Sequence, residues 1–171
     1  DVYKRQTLYN MEESDWDVIM EVHLKGHYNC TRPLVRHMRD NNVLGCRIIN
    51  MSSVGAKGFV DVSNTIYAAT KGSILSMTKT ASQELGKYNI NVNSICPSPT
   101  YTDIVKKLVA KRAKEQNKTE KEIMDYYMRD VPLGRFNDPD DIASMVIFLS
   151  SSGARNITGQ SFNVDGGLIP S

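Results

Sequence analysis

The chain has 171 residues, 40% hydrophobic and 23% charged, with a formal net charge of +2 at pH 7. This suits a single globular domain and gives no electrostatic footprint for nucleic acid; no apolar run nears the ~20 residues that cross a bilayer, so neither nucleic acid nor membrane is an expected partner. Cys30, Cys46 and Cys96 are few and irregularly spaced, which points to reduced thiols and a cytoplasmic location rather than a disulfide framework.

Residues 1–10 have neither helical nor strand period and are expected to be disordered or cloning-derived. Ser14 has the chemistry of a helix cap, with Asp17 as its box partner. Trp16, Met20, His23, His27, Cys30, Leu34 and Met38 then recur every three or four residues. They predict an amphipathic helix of about seven turns, weakened at Gly26 and bent at Pro33. Asp40-Asn41-Asn42 ends it, and Cys46 to Met51 reads as a short buried strand. Ser52 to Asn64 is loop. A second helix runs from about Thr65 to Lys87, with small residues in its first half (Ala68, Ala69, Gly72, Ser73, Ser76) that allow close approach. Ile90 to Cys96 is a second strand, stopped by Pro97-Ser98-Pro99.

Asp103 to Gln116 reads as a basic amphipathic helix with Ile104, Val105, Leu108 and Val109 on one side. Thr119 and Glu122 form a capping box for a short helix through Tyr126, Tyr127 and Met128, which Pro132-Leu133-Gly134 breaks. Asp138-Pro139 starts another helix, with Ile142, Met145 and Leu149 inward. Ser161 to Asp165 is a third strand, ended by Gly166-Gly167. Such alternation predicts an α/β fold of parallel strands with crossover helices. No linker divides residues 1–171. Residues 103–131 read as a substrate lid, its lysines solvated, with Tyr126, Tyr127 and Met128 placed to close over a small substrate.

Tyr67-Ala68-Ala69-Thr70-Lys71 concentrates the chemistry. Tyr67 and Lys71 are four apart and share one helix face. A phenol ionises near pH 10, but an ammonium one turn away favours the phenolate and brings proton transfer towards neutrality. Ser53, just beyond the first strand, can donate a hydrogen bond to the same oxygen that Tyr67 serves. None of these groups carries electrons, so redox chemistry requires a cofactor, and hydride from a nicotinamide is the simplest. The spacing alone is common in solvated helices; its surroundings make it specific.

Those surroundings resemble the short-chain dehydrogenase/reductase family from Glu13 to Gly167. "RIINMSSVG" resembles the strand that ends in the family's catalytic serine, here Ser53. "YAATKGSILSMTKTASQEL" resembles its active-site helix, "INVNSICPSPTYT" its following strand and cofactor loop, and "VPLGRFNDPDDIASMVIFLSSSGARNITGQSFNVDGG" its last helix and strand. The resemblance implies a partial, doubly wound Rossmann-type sheet of about three strands. It implies an NAD- or NADP-dependent interconversion of a secondary alcohol and a ketone, on a small-molecule alcohol or carbonyl substrate. Tyr67 would be the acid/base. Lys71 would tune it and hold the nicotinamide ribose, while Pro97, Thr100 and Thr102 would line the nicotinamide. Thr102 can equally be a helix cap. A homodimer or homotetramer is implied for the full-length protein.

Three departures stand out. Ser98 replaces the glycine of the family's Pro-Gly loop, so the loop is expected to sit differently. His23 stands where the family has an asparagine that leads protons to the lysine; it can relay protons or simply pack. His23 and His27 have metal-pair spacing without a third ligand, and no metal is expected. Finally, the sequence contains no Gly-x-x-x-Gly-x-Gly turn, so a dinucleotide is expected to bind weakly or not at all, with Arg47 to Met51 as an exposed apolar edge. The alternative function is a catalytically inactive fragment acting as an oligomerising scaffold. A serine-hydrolase reading of Ser53 is weaker, because no Gly-x-Ser-x-Gly elbow is present.

Overall fold

The structure, a computed structural model, describes residues 8–58 and 63–170. Its centre is β2 (Asn91–Pro97), buried from Asn91 to Cys96. β1 (Arg47–Met51) and β3 (Ser161–Val164) flank it, and both pairings are parallel. The register sets Ile48 beside Val92, Met51 beside Ile95 and Phe162 beside Ile95. Because side chains alternate between faces, Ile48 and Val92 point one way and Ile49, Ile95 and Phe162 the other.

Helices cover both faces. On the first, α2 (Gly26–Asp40) and α3 (Thr65–Leu85) bring Val35, Met38, Ala81 and Leu85 against Ile48, Ile90 and Val92. On the second, α6 (Pro139–Ser150) packs Ile142, Met145, Val146 and Leu149 against Ile49, Ile95 and Phe162. This three-layer arrangement matches the expected partial Rossmann-type sheet. A separate small core of Val109, Ala113 and Ile123 joins α4 (Asp103–Gln116) to α5 (Glu120–Met128). The capping boxes at Thr119/Glu122 and Asp138/Asp141 both form, with proline just inside α6.

Asparagine and serine in a buried strand need partners. Asn91 donates to the carbonyls of Arg155 and Ile157 at 3.0 and 2.8 Å. Asn93 donates to Ile157 and accepts from the Gln160 amide. Ser94 and Ser161 share a hydroxyl hydrogen bond of 2.8 Å. These bonds fix the loop before β3, and with it the β3 register.

Several expectations are corrected. Residues 1–7 lie outside the described residues, whereas Leu8–Asn10 forms a single 3-10 turn. Ser14 does not cap: α1 (Glu13–Met20) begins before it, and Glu12 stands at the cap position without a side-chain bond. Glu13 and Asp15 in the first turn complement the helix dipole instead. The long helix is not uniform. A π turn, Glu21–Lys25, separates α1 from α2. The inward line then runs Ile19, His23, His27, Thr31 and Val35, one residue in four, while Trp16 and Leu34 are 40% and 54% exposed. A π turn winds wider than the regular 3.6 residues, which keeps a four-residue spacing in line through its middle. Ile104 likewise faces out, and Val105, Val109 and Ala113 take the inner side of α4. Of the three lid residues expected over a substrate, Met128 is buried and Tyr126 is exposed. β1 is an edge strand among the described residues, with Met51 exposed at its end, as the sequence implied.

Ile95 is fully buried between the sheet and α6, whereas Ile147 on the outer face of α6 is 70% exposed. Ile95→Ala should therefore cost about 2–5 kcal/mol in urea unfolding, and Ile147→Ala less than about 0.5 kcal/mol.

Candidate active site

The site forms where the C-terminal ends of β1 and β2 meet the first turns of α3. Asn64 caps α3, its side-chain oxygen accepting from the Tyr67 amide at 2.8 Å. The cap fixes Tyr67 at the third position of the helix, and Lys71 follows one turn later. Three bonds hold α3 against the end of β1. Ser52 Oγ donates to the Lys71 carbonyl at 2.9 Å, Lys71 Nζ donates to the Met51 carbonyl at 2.9 Å, and Asn50 Nδ2 donates to Thr78 Oγ1 at 2.8 Å.

Ser53 is buried at the start of a tight 3-10 turn, Val54–Lys57, and its Oγ accepts from the Gly55 amide at 3.1 Å. Gly55 is required there. A Cβ on it would lie 2.9 Å from Ser63 Cβ and 3.3 Å from Tyr67 Cε1. Absence of that atom lets the Ser53 turn pack under the Tyr67 ring. The Lys71 ammonium lies 5.8 Å from the Tyr67 ring centroid. The His23 ring meets Tyr67 edge-on, with centroids 5.5 Å apart and planes at 83°. His23 Nδ1 lies 3.1 Å from Thr70 Oγ1, and His27 Nδ1 donates to the His23 carbonyl at 2.6 Å. Ser53, Tyr67, Lys71 and His23 are thus brought together.

Pro97 is the last residue of β2, and Thr100 and Thr102 follow it at the same edge of the sheet. The segment is held by Asn137, a residue to which no sequence motif drew attention. Asn137 Nδ2 donates to the Val164 carbonyl at 2.5 Å and to Ser98 Oγ at 3.3 Å, and its backbone bonds to Pro99 and Tyr101. Ser98 does not strain the loop: the non-glycine residues with positive φ are Asn42, Asn89 and Asn117 among the described residues. Its amide bonds Val164, and its hydroxyl takes up Asn137. Thr100 donates to the Ser98 carbonyl at 3.1 Å. Thr102 occupies the cap position of α4, but its side chain makes no cap hydrogen bond.

Burial shapes the electrostatics. Desolvation lowers the Lys71 pKa below the usual lysine value, with the nearby Cys96 opposing this. Cys96, beneath the Ser52–Ser53 corner, has its thiol pushed up by burial. His23 is lowered, first by burial and then by the positive charges of Lys71 and His27. A histidine that resists protonation in the folded state imposes no cost above the unfolded pKa of 6.5 and a growing cost as pH falls below it towards the folded value. His23→Gln should therefore gain stability relative to the parent chain as the pH of urea unfolding is lowered from neutral to mildly acidic. An unchanged difference would contradict the assignment.

The sequence model of the family described as Enoyl-(Acyl carrier protein) reductase matches residues 2–169. (3R)-3-Hydroxyacyl-CoA dehydrogenase from Homo sapiens is 36% identical over 164 residues, which are 95% of this chain and 57% of that protein. The 3-oxoacyl-[acyl-carrier-protein] reductase FabG of Thermotoga maritima is 37% identical over 163 residues, 95% of this chain and 60% of that protein. The chain therefore spans about six-tenths of the length of these curated relatives. Among solved structures, sorbitol-6-phosphate 2-dehydrogenase SrlD from Erwinia amylovora superposes with a TM-score of 0.89 at 28% identity, over 100% of this chain and 66% of that one. A 3-ketoacyl-(acyl-carrier-protein) reductase from Brucella melitensis, complexed with NADH, gives 0.80 at 31% identity, over 96% and 62%. With a family match over nearly all of its residues and the Tyr67–Lys71 pair packed on the Ser53 turn, the chain belongs to the short-chain dehydrogenase/reductase family.

Proposed function

We propose that the chain is the catalytic and substrate-binding part of an NAD(P)-dependent oxidoreductase that interconverts a secondary alcohol and a ketone. The observation that carries this reading is the Tyr67 ring set between the Lys71 ammonium, the His23 ring and the Ser53 turn.

The residues fit a nicotinamide nucleoside. An ammonium has three donors, and Lys71 uses one on the Met51 carbonyl, which leaves two for ribose hydroxyls. The Thr102 hydroxyl is not used as a cap and can meet a carboxamide, with Pro97 and Thr100 forming the adjoining wall. When bound, the nicotinamide supplies or takes up the hydride. The chain handles the proton. In the reductive direction Ser53 donates a hydrogen bond to the carbonyl oxygen and holds it beside Tyr67. The Tyr67 O–H bond breaks as its proton passes to that oxygen. Lys71 stabilises the phenolate, and His23 stands where a proton can be returned from outside. For the substrate, the curated relatives named above favour a 3-oxoacyl or 3-hydroxyacyl thioester over a free sugar. The exposed Trp16, Val18, Val22, Tyr28 and Leu34 on α1, the π turn and α2 support association of copies into a homodimer or larger assembly.

A second reading is favoured by a sequence feature: these 171 residues contain no Gly-x-x-x-Gly-x-Gly phosphate turn. As an isolated chain they would act as an inactive, self-associating scaffold. Thermal unfolding with millimolar NADH or NADPH separates the two. No shift supports the scaffold for the isolated chain, and clear stabilisation argues against it. Joined to an upstream half with a Gly-rich turn, the chain should oxidise reduced nicotinamide with 3-oxoacyl thioesters faster than with ketoses. There Tyr67→Phe should lower turnover on the order of 10²–10⁴-fold, and Ser53→Ala on the order of 10²–10³-fold. Unchanged turnover in Tyr67→Phe would refute the acid/base assignment.

A further inference from the structure

Thr70 is one of the residues between Tyr67 and Lys71, and its side chain is fully buried. Its hydroxyl oxygen lies 2.9 Å from the Tyr67 carbonyl and 3.1 Å from His23 Nδ1. A hydroxyl has one proton to donate and two lone pairs to accept with. The Tyr67 carbonyl can only accept, so that contact takes the Thr70 proton. Were the proton turned to His23 instead, the Thr70 oxygen and the carbonyl would face each other as two acceptors at 2.9 Å in a buried place. His23 Nδ1 must therefore be the donor to Thr70, and it carries a hydrogen in the neutral ring. Nε2 is left with an open lone pair, and His23 makes no bond through Nε2 among the described residues.

We propose that Thr70 is a positioning residue that fixes His23 as the Nδ1–H tautomer and so presents Nε2 as the single point at which this ring takes up and releases a proton beside Tyr67 and Lys71. The functional half of this statement rests on the oxidoreductase reading; the tautomer does not. In the relay, a proton arriving from water forms a bond at Nε2 and gives the imidazolium. The same Nε2–H bond then breaks as the proton passes towards the Lys71–Tyr67 pair, and the Nδ1–H bond persists throughout. The titratable groups that face the ring are Lys71 and Tyr67 from α3 and His27 from its own helix. Lys71 and His27 both disfavour the imidazolium, so the charged ring gives up its proton readily.

The test is the histidine tautomer in the 171-residue chain itself, read from long-range nitrogen–proton correlations of nitrogen-15-labelled imidazoles at about pH 8, above the ordinary imidazole pKa near 6.5. The parent chain should show His23 with Nδ1 protonated and Nε2 bare. Thr70→Val, which keeps the shape but removes the hydroxyl, should move His23 predominantly to the Nε2–H form, and Thr70→Ser should keep the parent pattern. His27, whose Nδ1–H is held by a backbone carbonyl, should stay Nδ1–H in all three and so report an intact fold. A parent chain with His23 as Nε2–H overturns the proposal, as does a folded Thr70→Val chain that keeps the Nδ1–H pattern. If Thr70→Val loses the His27 signature, the parent tautomer and the Thr70→Ser pattern decide. Loss of turnover in the joined enzyme would bear on the oxidoreductase reading, not on the tautomer.

Discussion

The clamp between the end of β1 and the second turn of α3 governs the rest of the site. Ser52 donates to the Lys71 carbonyl, and Lys71 donates back to the Met51 carbonyl. Asn50 reaches Thr78 two turns further along. Together they set the height and rotation of α3 on the sheet, and hence the direction in which Tyr67 points. Ser52 and Ser53 divide the work at the strand end: Ser52 holds the helix through the Lys71 carbonyl, and Ser53 holds its own turn by accepting from the Gly55 amide.

Lys71 is half-buried where it clamps β1. Removed from water, an ammonium is a stronger electrostatic neighbour but a costlier one. The Met51 carbonyl offsets part of that cost. A tightly held lysine beside a phenol is a preorganised environment that needs little rearrangement as charge develops. The π turn adds the third component. By widening the helix across Glu21–Lys25, it puts His23 on the line that faces α3 and carries its ring to the Tyr67 edge.

Much of this is written locally in the chain. Tyr67 and Lys71 are legible from their spacing, Ser53 from its place after a β-branched strand, and the Thr119 capping box and the Asp138-Pro139 helix start from residue type alone. Even Asn64 could have been found, since an asparagine directly before a helix is a standard cap. What the pattern does not reveal depends on geometry several turns away. Ser14 has a cap's chemistry, but the acidic residues around it let the helix begin earlier. The inward line of α1 and α2 is misjudged at Trp16 and Leu34 because nothing in the local sequence announces a π turn. Thr70 reads as an unremarkable member of a small-residue run until His23 is placed against it. Ser98 looks like a loss of backbone freedom until its φ and its Asn137 partner are seen. In each case the deciding partner is distant in sequence.

The region after β2 carries its own core. Val109, Ala113 and Ile123 pack on one another, and α5 is closed by its own Thr119/Glu122 capping box. A unit of this kind can open without disturbing the parallel strands, because its apolar contacts are mostly internal. Its amides should then exchange with solvent as a cooperative group, separate from those of β2. The same independence means that a change packed within Val109, Ala113 and Ile123 can be absorbed there while the clamp at Lys71 keeps its geometry.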